Sequence, residues 1–289
     1  MPSTYELITE QVIKALETGT APWHRPWSSA LPMNLVSQKE YRGLNVFTLA
    51  MAGYGSRYWL SYKQALKLGG HVRKGEKAST VVFWQIGEEK LNAKTGKLSR
   101  PFLLRHSSVF NLTQCDGIDL PKSVFEHEKR DPFQAIETAE SIVANMPKAP
   151  RFEQSGSAWY RPSTDTIGLP AKESFTAPAG YYATAFHELG HSTGHASRLH
   201  RPDFDNPMHF GSETYSREEL IAELTSSFLC GVAGIERQTV ANSASYLASW
   251  IKALRGDSRL IVTGASQAQR AADCILGKSG EPVAEPVAE

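Results

Sequence analysis

PAGYYATAFHELGHSTG, residues 178–194, is the stretch that decides the fold, and its centre is His187-Glu188-Leu189-Gly190-His191. On a helix, H-E-x-x-H puts two imidazoles one turn apart on one face, while the carboxylate between them points elsewhere. A catalytic zinc takes three protein ligands and keeps one position for water. The glutamate beside the first histidine is then placed to take that water's proton. The flanks favour a helix, since Pro178 suits a first turn and Gly194 can stop it. His187 and His191 are therefore the candidate metal ligands, and Glu188 the candidate base. The competing reading is a solvated helix with two incidental histidines.

A third ligand must come from elsewhere. The longer pattern H-E-x-x-H-x-x-G-x-x-H needs a histidine at 197, where Ser197 stands instead. His195 lies about 12 Å from His187 along a continuous helix axis, so it is expected to cap the helix end or line the cleft near the metal. Ser216 followed by Glu219 reads as a capping box that starts a helix, with Leu220, Leu224 and Phe228 as its apolar stripe. Glu219 and Glu223 fall one turn apart, where like charges repel unless something positive is near. This order resembles the gluzincin scheme, in which a second helix gives the third ligand as the first Glu of an E-x-x-A-acidic pattern. The resemblance implies Glu219 on the metal and Glu223 behind it, orienting a histidine N–H. Glu218 offers a neighbouring register, and a capping box with a surface glutamate is the structural alternative. Two histidines and a carboxylate suit Zn²⁺ first and Mn²⁺ as well. Just upstream, residues 158–161 and 166–169 flank a turn at 162–165, a hairpin whose second strand could pair with an extended substrate. An ordinary structural hairpin fits that pattern too.

The 289 residues suffice for two domains, each with its own core. No apolar run approaches a membrane span, and the first residues lack a signal-peptide pattern. Cys115, Cys230 and Cys274 are odd in number and scattered, which favours a reducing cytosol over a disulfide framework. A cytoplasmic protein with no membrane partner is expected. The net charge of +1 conceals an asymmetry: residues 1–115 carry 15 Lys and Arg against 7 Asp and Glu, and the remainder 16 against 23. An anionic partner for the N-terminal half follows.

Ser3 and Glu6 open a helix whose face is Tyr5, Ile8, Val12 and Leu16, ended by Gly19. Short helices are expected at 43–52 and 61–68, then a strand at 80–86, a loop at 92–97 and a return strand at 101–111. Asp131 and Pro132 start the first helix of a second domain. The division reads 1–125, 131–278 and a tail, 279–289, whose Glu-Pro-Val-Ala repeat has no packing face and is expected to be disordered.

The first 115 residues also hold 13 of the 28 Phe, Trp and Tyr residues. Trp23, Arg25 and Trp27 share a Pro-framed loop; Arg42 follows; Trp59 and Lys63 flank a helix start; Arg73, Lys74 and Lys77 form a basic turn. Cations for phosphates and flat rings for unpaired bases are what single-stranded nucleic acid requires. The alternative is that Trp59 and Trp84 are core residues and the lysines a solvated rim.

Several strings together then carry a family resemblance: Pro22-Trp23 with Pro26-Trp27, the run Tyr41 to Asn45, Trp59 to Ala65, Gly69 to Lys77, His187 to His195, and Glu218 to Glu223. The chain resembles the ArdC-type antirestriction family of conjugative plasmids over nearly its whole length. The resemblance implies an α+β protein of two domains: a small mixed α/β domain that binds single-stranded DNA, then a gluzincin-like zincin metallopeptidase fold. It implies protection of incoming plasmid DNA from host restriction, with a restriction-system component as a possible protein substrate. Three readings stand at this point: a DNA-guided metalloprotease, a single-strand-binding shield that keeps a peptidase fold for structure or docking, and a cytosolic regulatory metallopeptidase whose N-terminal half recognises protein.

Overall fold

The computed structural model describes residues 3–19, 21, 31–86, 90–91, 98–99, 102–118, 132–205, 213–235 and 244–278. The expected boundary at 121–131, the loop at 92–97, the C-terminal tail, and Trp23, Arg25 and Trp27 lie outside the described residues. Helix α1 (Thr4–Glu17) begins as its sequence predicts. Ser3 Oγ accepts the Glu6 N–H, and the Glu6 carboxylate accepts the Ser3 N–H. Ile8, Val12 and Leu16 are buried along one face.

The N-terminal half continues through β1 (Met33–Asn34), α2 (Leu44–Met51), β2 (Tyr58–Leu60), α3 (Tyr62–Lys67), β3 (His71–Val72) and β4 (Ser79–Ile86). It ends with β5 (Lys90–Leu91), β6 (Leu98–Ser99), β7 (Phe102–Asn111) and β8 (Cys115–Asp116). Four strands form a sheet in the order β1-β2-β7-β4, with β1 and β2 parallel and the other pairs antiparallel. Its backbone is the long β4–β7 hairpin, running from Ser79 opposite Val109 to Ile86 opposite Phe102. β4 is an edge, and Asn45 of α2 covers part of it: the side-chain amide exchanges two 2.7 Å hydrogen bonds with the Val82 backbone. That blocks a site where another strand could pair.

The C-terminal half comprises α4 (Pro132–Ala144), β9 (Arg151–Gln154), β10 (Trp159–Arg161), β11 (Thr166–Leu169), α5 (Pro178–Ser192), α6 (Glu213–Ala233), α7 (Ala244–Gly256) and α8 (Leu260–Ile275). The expected hairpin is β10–β11, but β11 is not an edge. β9 pairs with its other side in parallel, giving the order β10-β11-β9. β11 therefore cannot take up a substrate strand, because both rows of its backbone groups are already paired. Helix α6 also begins by Glu213, so Ser216 lies inside it and is not its N-cap.

The halves share a core. Ile8, Val12 and Leu16 of α1, Phe47 of α2, Phe186 and Leu189 of α5, Leu220 and Phe228 of α6, and Leu254 of α7 belong to one continuous cluster. Phe47 and Phe228 bridge the two segments with ring centroids 4.9 Å apart. Separate cores were expected; one shared core is found, because α1 packs on α7 as well as on β7, and α2, lying on β4, also reaches α8. Among the described residues no helix is long and apolar enough to cross a membrane.

Candidate metal centre

Two antiparallel-packed segments of chain make the centre, α5 and α6. α5 starts at Pro178, whose missing N–H is no loss in a first turn. It buries Ala185, Phe186 and Leu189 against α6 and leaves His187 and His191 half-covered on the adjoining face. The helix ends at Ser192. Gly194 does not end it through a left-handed backbone; its φ is not positive, and a Cβ there would sit 2.2 Å from the Phe204 ring. Close passage of that ring is what requires glycine.

The imidazole Nε2 atoms of His187 and His191 stand 3.1 Å apart. Glu219 of α6 approaches from the other side, with Oε2 3.7 Å from His187 Nε2 and Oε1 3.6 Å from His191 Nε2. One ligand atom from each of the three lies within 4.8 Å of the others. Glu223, one turn further along α6, has Oε1 4.0 Å from His187 Nδ1, the ring nitrogen turned away from Glu219. That is an ion-pair separation rather than a direct hydrogen bond. His195 is not drawn to the three. Its Nδ1 meets Ser197 Oγ at 2.8 Å and stands 4.0 Å from Asp165 Oδ2, beyond the helix end. Glu218, the neighbouring register, is buried in a bidentate pair with Arg201, 2.7 and 2.8 Å long.

The electrostatics of this cluster fit a cation. Burial, then the charge of Glu219, pushes the Glu188 carboxyl up to about 7. Burial likewise lifts Glu219 to about 7 against a lowering hydrogen bond from Tyr215, with Glu223 and Glu218 adding repulsion. Burial, then His187, holds His191 well below its ordinary value, so it is the neutral imidazole that ligation needs. Three converging donors, a neutral imidazole and carboxylates short of positive charge suit a divalent ion.

The basic half divides differently from its sequence pattern. Trp59 is 2% exposed, packed with Tyr41, Leu49, Val81 and Val109 and edge-on to Tyr54 at 5.6 Å, so it offers no face to a base. Arg42 pairs with Asp273 on α8. Arg73 is bound to Glu76 at 2.7 Å, to Asp116 at 3.2 Å and to the Thr113 carbonyl. Lys63, Lys74 and Lys77 are exposed. Among the described residues of this half, Tyr62 and Trp84, both outside the expected contact set, are the exposed rings. Tyr62 is 52% exposed and meets Phe110 with ring centroids 6.5 Å apart and planes inclined at 62°.

Two family models divide the chain at the same place as its charge. The N-terminal domain of anti-restriction factor ArdC matches residues 2–110, and a zincin-like metallopeptidase domain matches residues 137–267. The crystal structure of the antirestriction ArdC protein from plasmid R388, in its metal-free form, superposes with a TM-score of 0.75 at 36% identity, covering 95% of this chain and 97% of that one. This chain belongs to the ArdC antirestriction family. The Mn(II)-bound ArdC structure superposes equally, at TM-score 0.74 and 35% identity, over 96% of this chain and 98% of that one. Among curated relatives, DNA primase TraC of Escherichia coli is 39% identical over 97% of this chain. The chain spans 28% of the length of that protein. An uncharacterized protein of Sinorhizobium fredii, y4eC, is 37% identical over 96% of this chain and 92% of its own. The ArdC fold thus brings together the histidine pair and Glu219 that sequence spacing singled out. It also supplies residues that spacing did not single out, Arg198, Arg201 and Tyr215. The only hint of the arginines was a pair of basic residues just past a helix C-terminus.

Proposed function

We propose that this chain is an antirestriction protein that binds single-stranded DNA with its basic half and holds a divalent ion, Zn²⁺ or Mn²⁺, on His187, His191 and Glu219. The observation that carries the reading is the convergence of those three donors from two helices, in a chain of the ArdC family. When bound, such an ion polarises a peptide carbonyl and acidifies water. Glu188 adjoins His187, is buried, and has its carboxyl lifted to about 7. A group poised there can accept a proton and give it back near neutral pH. Burial excludes competing water from it. For DNA, Lys63, Lys74 and Lys77 supply exposed cations and Tyr62 an exposed ring. Incoming plasmid DNA in the recipient cytosol, exposed to restriction, is the physiological ligand of this reading, and a protein of the restriction system is its peptide substrate.

Metal analysis of the purified protein beside Glu219→Ala tests the centre. One equivalent of a divalent ion in the first and a loss of it in the second is expected. An equal content in both would remove Glu219 from the centre. Salt-dependent retention of single-stranded oligonucleotides tests the other half; no binding even at low salt would leave a regulatory metallopeptidase.

A further inference from the structure

Arg201 is 6% exposed, and its guanidinium makes five hydrogen bonds that join the two helices of the metal centre. On α5 it donates through Nη2 to the carbonyls of Gly190 at 3.1 Å and His191 at 3.3 Å. Through Nη1 it donates to Thr193 Oγ1 at 2.6 Å. On α6 it grips both oxygens of Glu218, Nε to Oε1 at 2.7 Å and Nη2 to Oε2 at 2.8 Å. The Phe204 ring covers it from one side, 5.3 Å from the guanidinium carbon.

Glu218 and Glu219 are neighbours on one helix, so their side chains diverge by about 100° around its axis. Holding Glu218 inward therefore sets the rotation of α6, and with it the direction of Glu219. The same guanidinium holds the His191 carbonyl, so one side chain references the carboxylate donor to the helix that carries both imidazoles. A bidentate fork does this better than a lysine, whose ammonium is a point charge. A buried ion pair is weak evidence for stability, since apolar residues of similar volume often replace one without loss. Its use here is register.

We infer that Arg201, acting through Glu218, is a positioning residue of the metal centre: it fixes the rotation of α6 that delivers Glu219 to His187 and His191. This rests on the metal reading above. The test compares wild type with Arg201→Met/Glu218→Leu, which replaces the ion pair by apolar side chains and leaves the net charge unchanged. Long-range charge therefore cannot account for a difference. Apo-protein melting, Zn²⁺ affinity by chelator competition, and the visible spectrum of the Co²⁺-loaded protein are measured. The double variant is expected to melt close to wild type, to bind Zn²⁺ about 10–100-fold more weakly, and to show a changed Co²⁺ band. Wild-type affinity and spectrum in a folded double variant would overturn the inference. Should that variant not fold, Glu218→Gln keeps the volume and one acceptor while breaking the symmetric grip. It is expected to melt below wild type, because the buried guanidinium loses its counter-charge, and to bind Zn²⁺ several-fold more weakly where it is folded; unchanged affinity of the folded variant overturns the inference equally. Wild type that takes up no ion at all would instead overturn the metal reading itself.

Discussion

Arg198 and Asp165 form a two-pronged ion pair that ties the loop leaving α5 to the turn between β10 and β11. Nη1 lies 3.0 Å from Oδ2, and Nη2 closes on Oδ1. The arginine side chain is 1% exposed and the carboxylate 27%. Tyr160 donates its hydroxyl to the same carboxylate at 2.9 Å, and Arg198 Nε donates to the Ser192 carbonyl at 2.7 Å, the last residue of α5. Arg198 thus fastens the end of the metal helix to the small sheet, as Arg201 fastens it to α6.

The titration of Asp165 makes this pair measurable. Burial alone would raise its carboxyl, but the hydrogen bonds from Arg198 and Tyr160 outweigh it and hold the group below its ordinary value. A depressed carboxyl stabilises the fold above the unfolded value, about 3.9, and the contribution is lost as pH falls through the folded value. Asp165 occupies a left-handed backbone position, φ +49°, which asparagine also tolerates. Asp165→Asn should therefore cost roughly 2–3 kcal/mol at pH 7, by weakening hydrogen bonds to a buried charged group. The difference from wild type should begin to shrink as pH falls below about 3.9, where the unfolded carboxyl protonates, and close only below the depressed native value. Urea melts of both proteins at pH 7 and at the lowest pH where wild type stays folded decide it. A deficit of equal size at both would mean that charge is not what the pair supplies.

Gly190 sits where α5 passes close against α6. A Cβ added there would meet the Ala222 Cα at 3.0 Å and Thr225 Cβ at 3.2 Å, backbone and branch point, neither of which can swing away. In a helix interior, alanine ordinarily gains about 1 kcal/mol over glycine. Overpacking against an immobile backbone costs about 1–3 kcal/mol, so the net sign should be destabilising. Because α6 carries Glu219, Gly190→Ala should also weaken metal binding. A variant that melts higher than wild type and keeps its metal would show that the two helices part without consequence.

For DNA, burial separates residues that their composition grouped together. Tyr62→Ala should weaken single-strand binding by about 1–3 kcal/mol, the worth of one stacked base. Lys74→Ala and Lys77→Ala should each flatten the salt dependence, by close to one phosphate contact apiece. Trp59→Phe should lower the melting temperature and leave affinity unchanged in the folded protein. Fluorescence anisotropy with a labelled oligonucleotide over a salt series reads all four. An affinity loss in Trp59→Phe larger than that in Tyr62→Ala would reverse the assignment.

The contrast between Trp59 and the H-E-x-x-H helix explains how much was legible in the sequence. Helical period is local: Pro178, the apolar positions and the i, i+4 histidines are a property of fifteen consecutive residues, and α5 forms as they dictate. The capping box at Ser3 is local in the same way and is present. Which of Glu218 and Glu219 faces the histidines depends on the rotation of α6, and Arg201 holds Glu218 from seventeen residues away. Which strand lies at an edge depends on β9, joined to β11 across the intervening β10. Whether a tryptophan faces water depends on which layer covers it. Trp59 and Tyr62 are three residues apart in sequence and opposite in burial. Composition registers both as aromatic and cannot rank them.

Glu188 separates the two halves of the proposed activity. It is 7% exposed, next to His187, yet it is not one of the three converging donors. Its proposed role is that of a proton acceptor rather than a ligand. Glu188→Gln keeps the shape and removes the base. Metal content and oligonucleotide affinity should then match wild type, while any peptide hydrolysis should fall by about 10²–10⁴, the usual contribution of a general base. Restriction protection of transferred plasmid, measured with the same variant, shows which half the cell uses. Protection that falls along with hydrolysis makes the centre a working peptidase, whereas full protection without hydrolysis makes DNA coverage sufficient. A variant that loses its metal would instead show Glu188 to be a ligand and would move the base elsewhere.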